Sequence, residues 1–333
     1  MKSNWGPEGL HQAEGLLSSA LQIQPDNANA KRLLGYVYAH QNRFSAAEAQ
    51  FADAAKSPTS NPWLWTNWGE MLVMEGKTDQ AIGKFRETIK RPITHDRDDR
   101  AHLDAYLQLL AVLNRRKDYD GMEVLYKQRM AEFGACYASE YAQFKLQVRG
   151  DPQNAIDLAR AALNLSCNDT DLRRVLGLAQ YVAWARATGP QRGAALNEAR
   201  VYLPPGPMPL YLLATSENTF LAAKQLIASG EQIDQQDNDG QTALGYALQN
   251  HDVSASRRLL ELGARPDHAV GLAGVPAALI PVMESDVDAV RLMQEHGVDY
   301  SKLHFHGETA LDLAKQSGNT ELLDTLTRKG RTL

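Results

Sequence analysis

The sequence predicts an all-α chain in which helical hairpins stack side by side as a solenoid, in two successive segments. Three observations predict it. Gly35, Ala47, Phe51 and Ala54 recur 34 residues later as Gly69, Ala81, Phe85 and Thr88, and a period of that length marks stacked helix pairs. Farther along, Gly230, Gly263, Gly297 and Gly330 fall 33, 34 and 33 residues apart, so a second repeat follows the first. Of 333 residues, 44% are hydrophobic and 23% charged, enough apolar material for a continuous core under a solvated surface.

The first segment is read in order from its small residues. Gly35/Gly69 and Ala47/Ala81 let two antiparallel helices approach closely, while Phe51 and Phe85 fill the gap toward the next hairpin. Each hairpin buries its apolar face only on its neighbours. At these residues the chain resembles the tetratricopeptide repeat (TPR) family, whose pattern runs Trp, Leu-Gly, Tyr, Ala, Phe, Ala, Pro. Carried backward, the register puts Ala13, Leu17, Ala20 and Pro25 on the second helix of a first repeat, whose first helix is expected before Met1. Carried forward, it needs about six extra residues, supplied by the charged stretch 95–100. Gly121 and Ala155 then take the small position, and Leu125 and Ala159 replace the Phe. A helix over 171–187 carries Leu176-Gly177, Tyr181 and Trp184, and a last helix ends near Leu203. Residues 1–203 are therefore expected to form a TPR-like domain of roughly five and a half hairpins.

Residues 204–209 hold four prolines and read as a stiff junction, because each proline fixes its own φ and restricts the residue before it. Beyond it, Asp239-Gly240-Gln241-Thr242-Ala243-Leu244, Ala247, Leu259-Leu260 and Gly263-Ala264 resemble the ankyrin repeat pattern. His306-Gly307-Glu308-Thr309-Ala310-Leu311, Ala314 and Leu322-Leu323 repeat it. Pro209-Leu210 with Leu226-Ile227, and Val290, Leu292-Met293 with Gly297, mark two worn copies. Residues 210–333 are thus expected to be an ankyrin repeat domain of about four repeats, with the periodic glycines in the left-handed turn that ends a helix.

Several function classes lose support at this level. A net charge of -5 does not suit a sequence-independent nucleic-acid surface, which needs clustered Lys and Arg. No apolar run is long enough to span a membrane, and residues 1–10 lack a hydrophobic signal core. Gly76-Lys77-Thr78 ends like a phosphate-binding loop but lacks the earlier glycine and the preceding strand, so it reads as a turn. His304 and His306 make two imidazoles on one expected tip, fewer ligands than a metal needs. No His-Glu-x-x-His, Gly-x-Ser-x-Gly or paired Cys-x-x-Cys occurs. The expectation is a non-enzymatic chain with no cofactor and no metal.

Cys136 and Cys167 lie near the starts of successive first helices, which are parallel neighbours roughly 9–10 Å apart. A disulfide needs the preceding loops to lean together until the Cα atoms are within about 7 Å. Two independent buried thiols are the alternative. A bond would close a loop of about 30 residues and imply an oxidising compartment such as the bacterial periplasm; free thiols would fit the cytoplasm.

Function must then come from exposed surface. First helices line the concave face of the TPR fold, so positions -6, -3, -2 and +1 from the glycine point into its groove. Those offsets give Arg32, Tyr36, Trp63, Asn67 and Glu70. Tyr36 and Trp63 are large aromatics that suit a partner's pocket; packing of Trp63 onto the next repeat is the alternative. TPR co-chaperones grip a terminal carboxylate with Lys and Asn at set positions; Arg32 and Asn67 fall on two of these, but Tyr36 replaces one Asn and the insert displaces the following repeat. Ankyrin repeats bind mostly through hairpin tips, here 235–241, 267–274 and 301–308. Leu272 and Phe305 are apolar where a tip should be polar, and His304 and His306 flank the latter. Two classes of protein-binding scaffold remain, each expected to be a monomer when unbound. One is an exported inhibitor resembling the repeat-built immunity proteins that neutralise toxins delivered between bacteria, including those of type VI secretion. The other is a cytosolic assembly adaptor or co-chaperone that reads short peptide segments.

Overall fold

In the computed structural model, which describes residues 6–57, 61–94, 98–167 and 169–327, α-helices account for nearly all the regular structure. Residues 95–97 of the charged insert and Gly330 lie outside the described residues. The chain divides into two compact units, up to Glu132 and from Phe133 onward.

The first unit holds α1 (Pro7–Ile23), α2 (Ala28–His40), α3 (Phe44–Ala54), α4 (Trp63–Met74), α5 (Thr78–Lys90), α6 (Asp98–Arg115) and α7 (Tyr119–Phe133). Helices α2 and α3, then α4 and α5, pair as hairpins, and α2, α4 and α6 lie side by side as successive first helices. Each hairpin closes the same way. Asn42, Gly76 and Lys117 take positive φ of 59°, 83° and 57°. The next amide then donates back to the preceding helix, from Arg43 to Tyr38 O (2.9 Å), Lys77 to Leu72 O (2.8 Å) and Asp118 to Leu113 O (2.9 Å). This left-handed closure satisfies carbonyls that a helix end leaves open.

Those closures correct the register. Asn42 and Gly76 are 34 apart, but Gly76 and Lys117 are 41 apart, so the insert lengthens the third hairpin by seven residues rather than about six. Met122, buried, therefore takes the small position and Tyr126, also buried, the Phe position, while Gly121 is only half-buried.

The glycines and phenylalanines meet in the hairpin core. A Cβ on Gly35 would stand 3.0 Å from Phe51 Cε1, and one on Gly69 only 2.5 Å from Phe85 Cε1. Both rings are fully buried, and Phe51 reaches the next hairpin by stacking on Trp68 at 6.1 Å between centroids. Thr88 stands where the first copy has Ala54; its buried hydroxyl is satisfied by Thr66 Oγ1 at 3.2 Å, which removes the penalty of burying an unpaired polar group.

The second unit continues with α8 (Ala138–Gln147), α9 (Pro152–Asn164), α10 (Thr170–Arg186), α11 (Pro190–Tyr202), α12 (Pro207–Ala214) and α13 (Glu217–Ala228). Next come α14 (Ala243–Gln249), α15 (Val253–Glu261), α16 (Ile280–Met283), α17 (Val287–Glu295), α18 (Ala310–Ser317) and α19 (Thr320–Thr327). Its only strands among the described residues are two-residue hairpin arms, Ala269–Val270 with Val275–Pro276 and His304–Phe305 with Glu308–Thr309. Thr242 and Thr309 cap α14 and α18 by accepting from Gly245 N and Asp312 N, which explains a threonine at each helix start. Gly230, Gly263 and Gly297 take φ of 108°, 93° and 83° at helix ends, a conformation that excludes most side chains.

Packing does not break at the Pro-rich segment. Helix α10 touches α12 and α13, and α8 touches α13. Ser216 Oγ and Asn218 Nδ2 donate to Gln147 O at 2.7 and 2.9 Å, and Gln225 Nε2 donates to Ala185 O at 2.9 Å. Residues 204–209 lie inside the second unit. The reason is polar: side chains beyond the prolines cap open carbonyls of the helices before them.

Cys136 and Cys167 form a disulfide in this unit, with Cα atoms 5.2 Å apart. Cys136 sits in a short 3-10 turn, Ala135–Tyr137, that packs on α9, whose end leads to Cys167.

Candidate functional site

Five residues singled out by their spacing meet in one cavity of the first unit. Arg32, Tyr36, Trp63, Asn67 and Glu70 line a groove of about 250 Å³, joined by Leu33 and Asp104. Helix α2 supplies Arg32, Leu33 and Tyr36, α4 supplies Trp63, Asn67 and Glu70, and α6 supplies Asp104. Two asparagines set the entry of α4: Asn61 Nδ2 donates to Asn29 Oδ1 across to α2 at 2.6 Å, and Asn61 Oδ1 accepts from Trp63 N at 3.1 Å. The indole of Trp63 is thereby held at the first residue of its helix, half-buried.

The groove is electrostatically uneven. Arg32 is half-buried with its Nε enclosed and without a hydrogen-bond partner, and this burial pulls its guanidinium below the usual range. Asn67 is 5% exposed, so nearly all of it is out of water. Glu70 is pushed up to about 8, first by burial and then by the neighbouring Asp104 carboxylate, with which it is within hydrogen-bonding range. Burial raises Asp104 as well. Tyr36 is raised by burial, then by Glu70 and Asp104. Two carboxyl groups on adjacent helices that share a proton are the expected outcome when like charges are held together out of water.

This pair makes stability depend on pH. Glu70 has an ordinary value of 4.5 and a folded value of about 8, so the folded chain holds a proton that the unfolded chain has released. Stability from this group is complete below about pH 4.5 and is lost as pH rises toward 8. Glu70→Gln is expected to flatten that decline and to raise stability at pH 8 by on the order of 1–2 kcal/mol, discounted for its partial exposure. Urea titrations of both proteins at pH 5 and pH 8 check it; equal pH dependence would contradict the shared proton.

Sequence reasoning named neither Leu33 nor Asp104, and Asp104 is the one that the insert hides. It stands 41 positions after Trp63, the offset fixed by the third hairpin closure, and an insert counted one residue short points to Leu103 instead. A second cluster on α6 is of another kind. His102 Nδ1 and Tyr106 OH meet the Glu132 carboxylate at 2.6 and 2.8 Å, but His102 and Tyr106 are each 1% exposed, so the trio braces α6 against α7 inside the core.

The expected tip residues lie in the second unit. Leu272 is 87% exposed at the first strand hairpin. Phe305 is half-buried in the second, its ring edge-on to His306 at 4.1 Å, with His304 and His306 exposed. No group of three or more His, Cys, Asp or Glu side chains placed to hold a metal occurs among the described residues, and no helix there is long and apolar enough to cross a membrane.

Comparison with known proteins bears on the first unit. No curated protein matches the chain. Among solved structures it is similar to one described as the P58(IPK) TPR domain, 15% identical, covering 96% of this chain and 95% of that one, with a TM-score of 0.26. The tetratricopeptide repeat family model matches residues 10–63, which run from within α1 through α2 and α3 to the first residue of α4. Over those residues the helical hairpins are similar to tetratricopeptide repeats.

Proposed function

We propose that this chain is a non-enzymatic interaction module that binds a protein partner along the groove of α2, α4 and α6. One observation carries the reading: residues chosen only by their offset from Gly35 and Gly69 converge on a single cavity. Partly buried aromatics beside under-satisfied polar groups are the material of interaction hot spots. The resemblance of residues 239–264 and 306–323 to ankyrin repeats supports a second contact surface at the Leu272 and Phe305 tips. A photo-crosslinking residue placed at Leu33, on the groove and 39% exposed, is expected to capture the partner, whereas one at Leu16, 74% exposed on α1, is not. Capture from Leu16 alone would sink the groove reading.

The disulfide favours the exported form of this function, a periplasmic inhibitor of a delivered toxin, over a cytosolic adaptor or co-chaperone, because such bonds persist in oxidising compartments. Thiol counting on protein drawn directly from its native cells tests this: no reactive thiol supports export, and two support the adaptor.

A further inference from the structure

We infer that the groove seats one lysine or arginine side chain of the partner, its cation against Glu70 and Asp104 and its stem along Tyr36 and Trp63. This names the partner's chemistry and rests on the groove reading above. Four observations point to a cation. Glu70 and Asp104 face one cavity from neighbouring helices, and neither forms an ion pair with any described residue. Asp104 Oδ2 is enclosed and accepts no hydrogen bond from a described residue; a guanidinium or ammonium would serve both carboxylates at once. Asn67, on the same wall and 5% exposed, makes no side-chain hydrogen bond within the described chain, so its amide is open to the backbone of a bound segment. Trp63 and Tyr36 supply the aromatic surface along which long basic side chains lay their methylenes and gain from ring faces.

Size selects among occupants. The groove, of about 250 Å³, has room for one long side chain. A bound divalent metal fits less well, since two carboxylates fall short of the ligands it takes. Arg32, on α2, forms no ion pair with the carboxylates, which leaves its guanidinium to meet carbonyl oxygens of the same segment.

The test uses the full chain and four capped pentapeptides with alanine flanks and a central arginine, lysine, glutamine or glutamate. Binding is read from the Trp63 indole and Asn67 side-chain amide signals in nitrogen–proton correlation spectra, up to about 10 mM peptide, a range that covers dissociation constants near 1 mM. The arginine and lysine peptides are expected to saturate these signals at least tenfold more tightly than glutamine. Glu70→Gln combined with Asp104→Asn should bring arginine down to the glutamine level while the other indole signals keep their folded positions; Glu70→Gln alone, which removes charge from the core, is the fallback and should lose part of the preference. Equal binding of all four peptides, or tightest binding of glutamate, overturns the cation seat but leaves the groove as a peptide site. No shift with any peptide overturns the cation seat too, while the groove reading then stands or falls separately on capture from Leu33.

Discussion

Phe85→Ala is expected to destabilise the first unit by about 3–5 kcal/mol. The ring is fully buried between α4 and α5, and the missing Cβ of Gly69 exists to admit it, since that atom would lie 2.5 Å from Cε1. Alanine removes the apolar transfer free energy and leaves a void that backbone helices packed this closely cannot collapse into. The same hairpin carries Trp63, Trp65 and Trp68, so urea unfolding of the full chain followed by tryptophan fluorescence reports the change where it occurs. A cost below about 1 kcal/mol would mean the ring does not fill the hairpin.

Cys136→Ser with Cys167→Ser is expected to cost the second unit about 3–4 kcal/mol, the loop-closure value for a crosslink over a separation of 31 residues. The bond ties the start of α8, through its 3-10 turn, to the end of α9, so without it this hairpin must hold its entry by packing alone. Thermal unfolding of the double variant, compared with wild type in the presence and absence of a reductant, measures it. A melting point that drops by several degrees in the variant and that reductant no longer alters fits the account; a variant that melts like the oxidised parent contradicts it.

Much of the fold was legible because its packing residues are few and periodic. Gly35 and Gly69 leave room for the rings of Phe51 and Phe85, and such pairs survive as a 34-residue echo. The same echo located five lining residues of the groove, since a helix that packs with one face presents a fixed other face. Asp104 escaped because nothing in residues 95–100 states how many of them enter the next helix; only the positive φ at Lys117 fixes the offset at 41. The contacts that bridge residues 204–209 left no signal for a different reason. Prolines announce a change of direction, but the hydrogen bonds that bind Ser216, Asn218 and Gln225 back to Gln147 and Ala185 span 40 residues or more and leave no local pattern. The carboxyl pair was half visible: Glu70 was placed in the groove, and its proton depends on the residue that was missed.

The central claim, that the groove of α2, α4 and α6 is where a partner binds, is tested most directly by calorimetric titration of the captured partner into wild type, Trp63→Ala and Phe305→Ala. The account predicts that Trp63→Ala weakens binding by about 2 kcal/mol, roughly 30-fold, while retaining the folded circular-dichroism spectrum, and that Phe305→Ala changes it far less. Unchanged affinity in Trp63→Ala with loss in Phe305→Ala would contradict it and move the binding surface to the strand hairpin at residues 304–309.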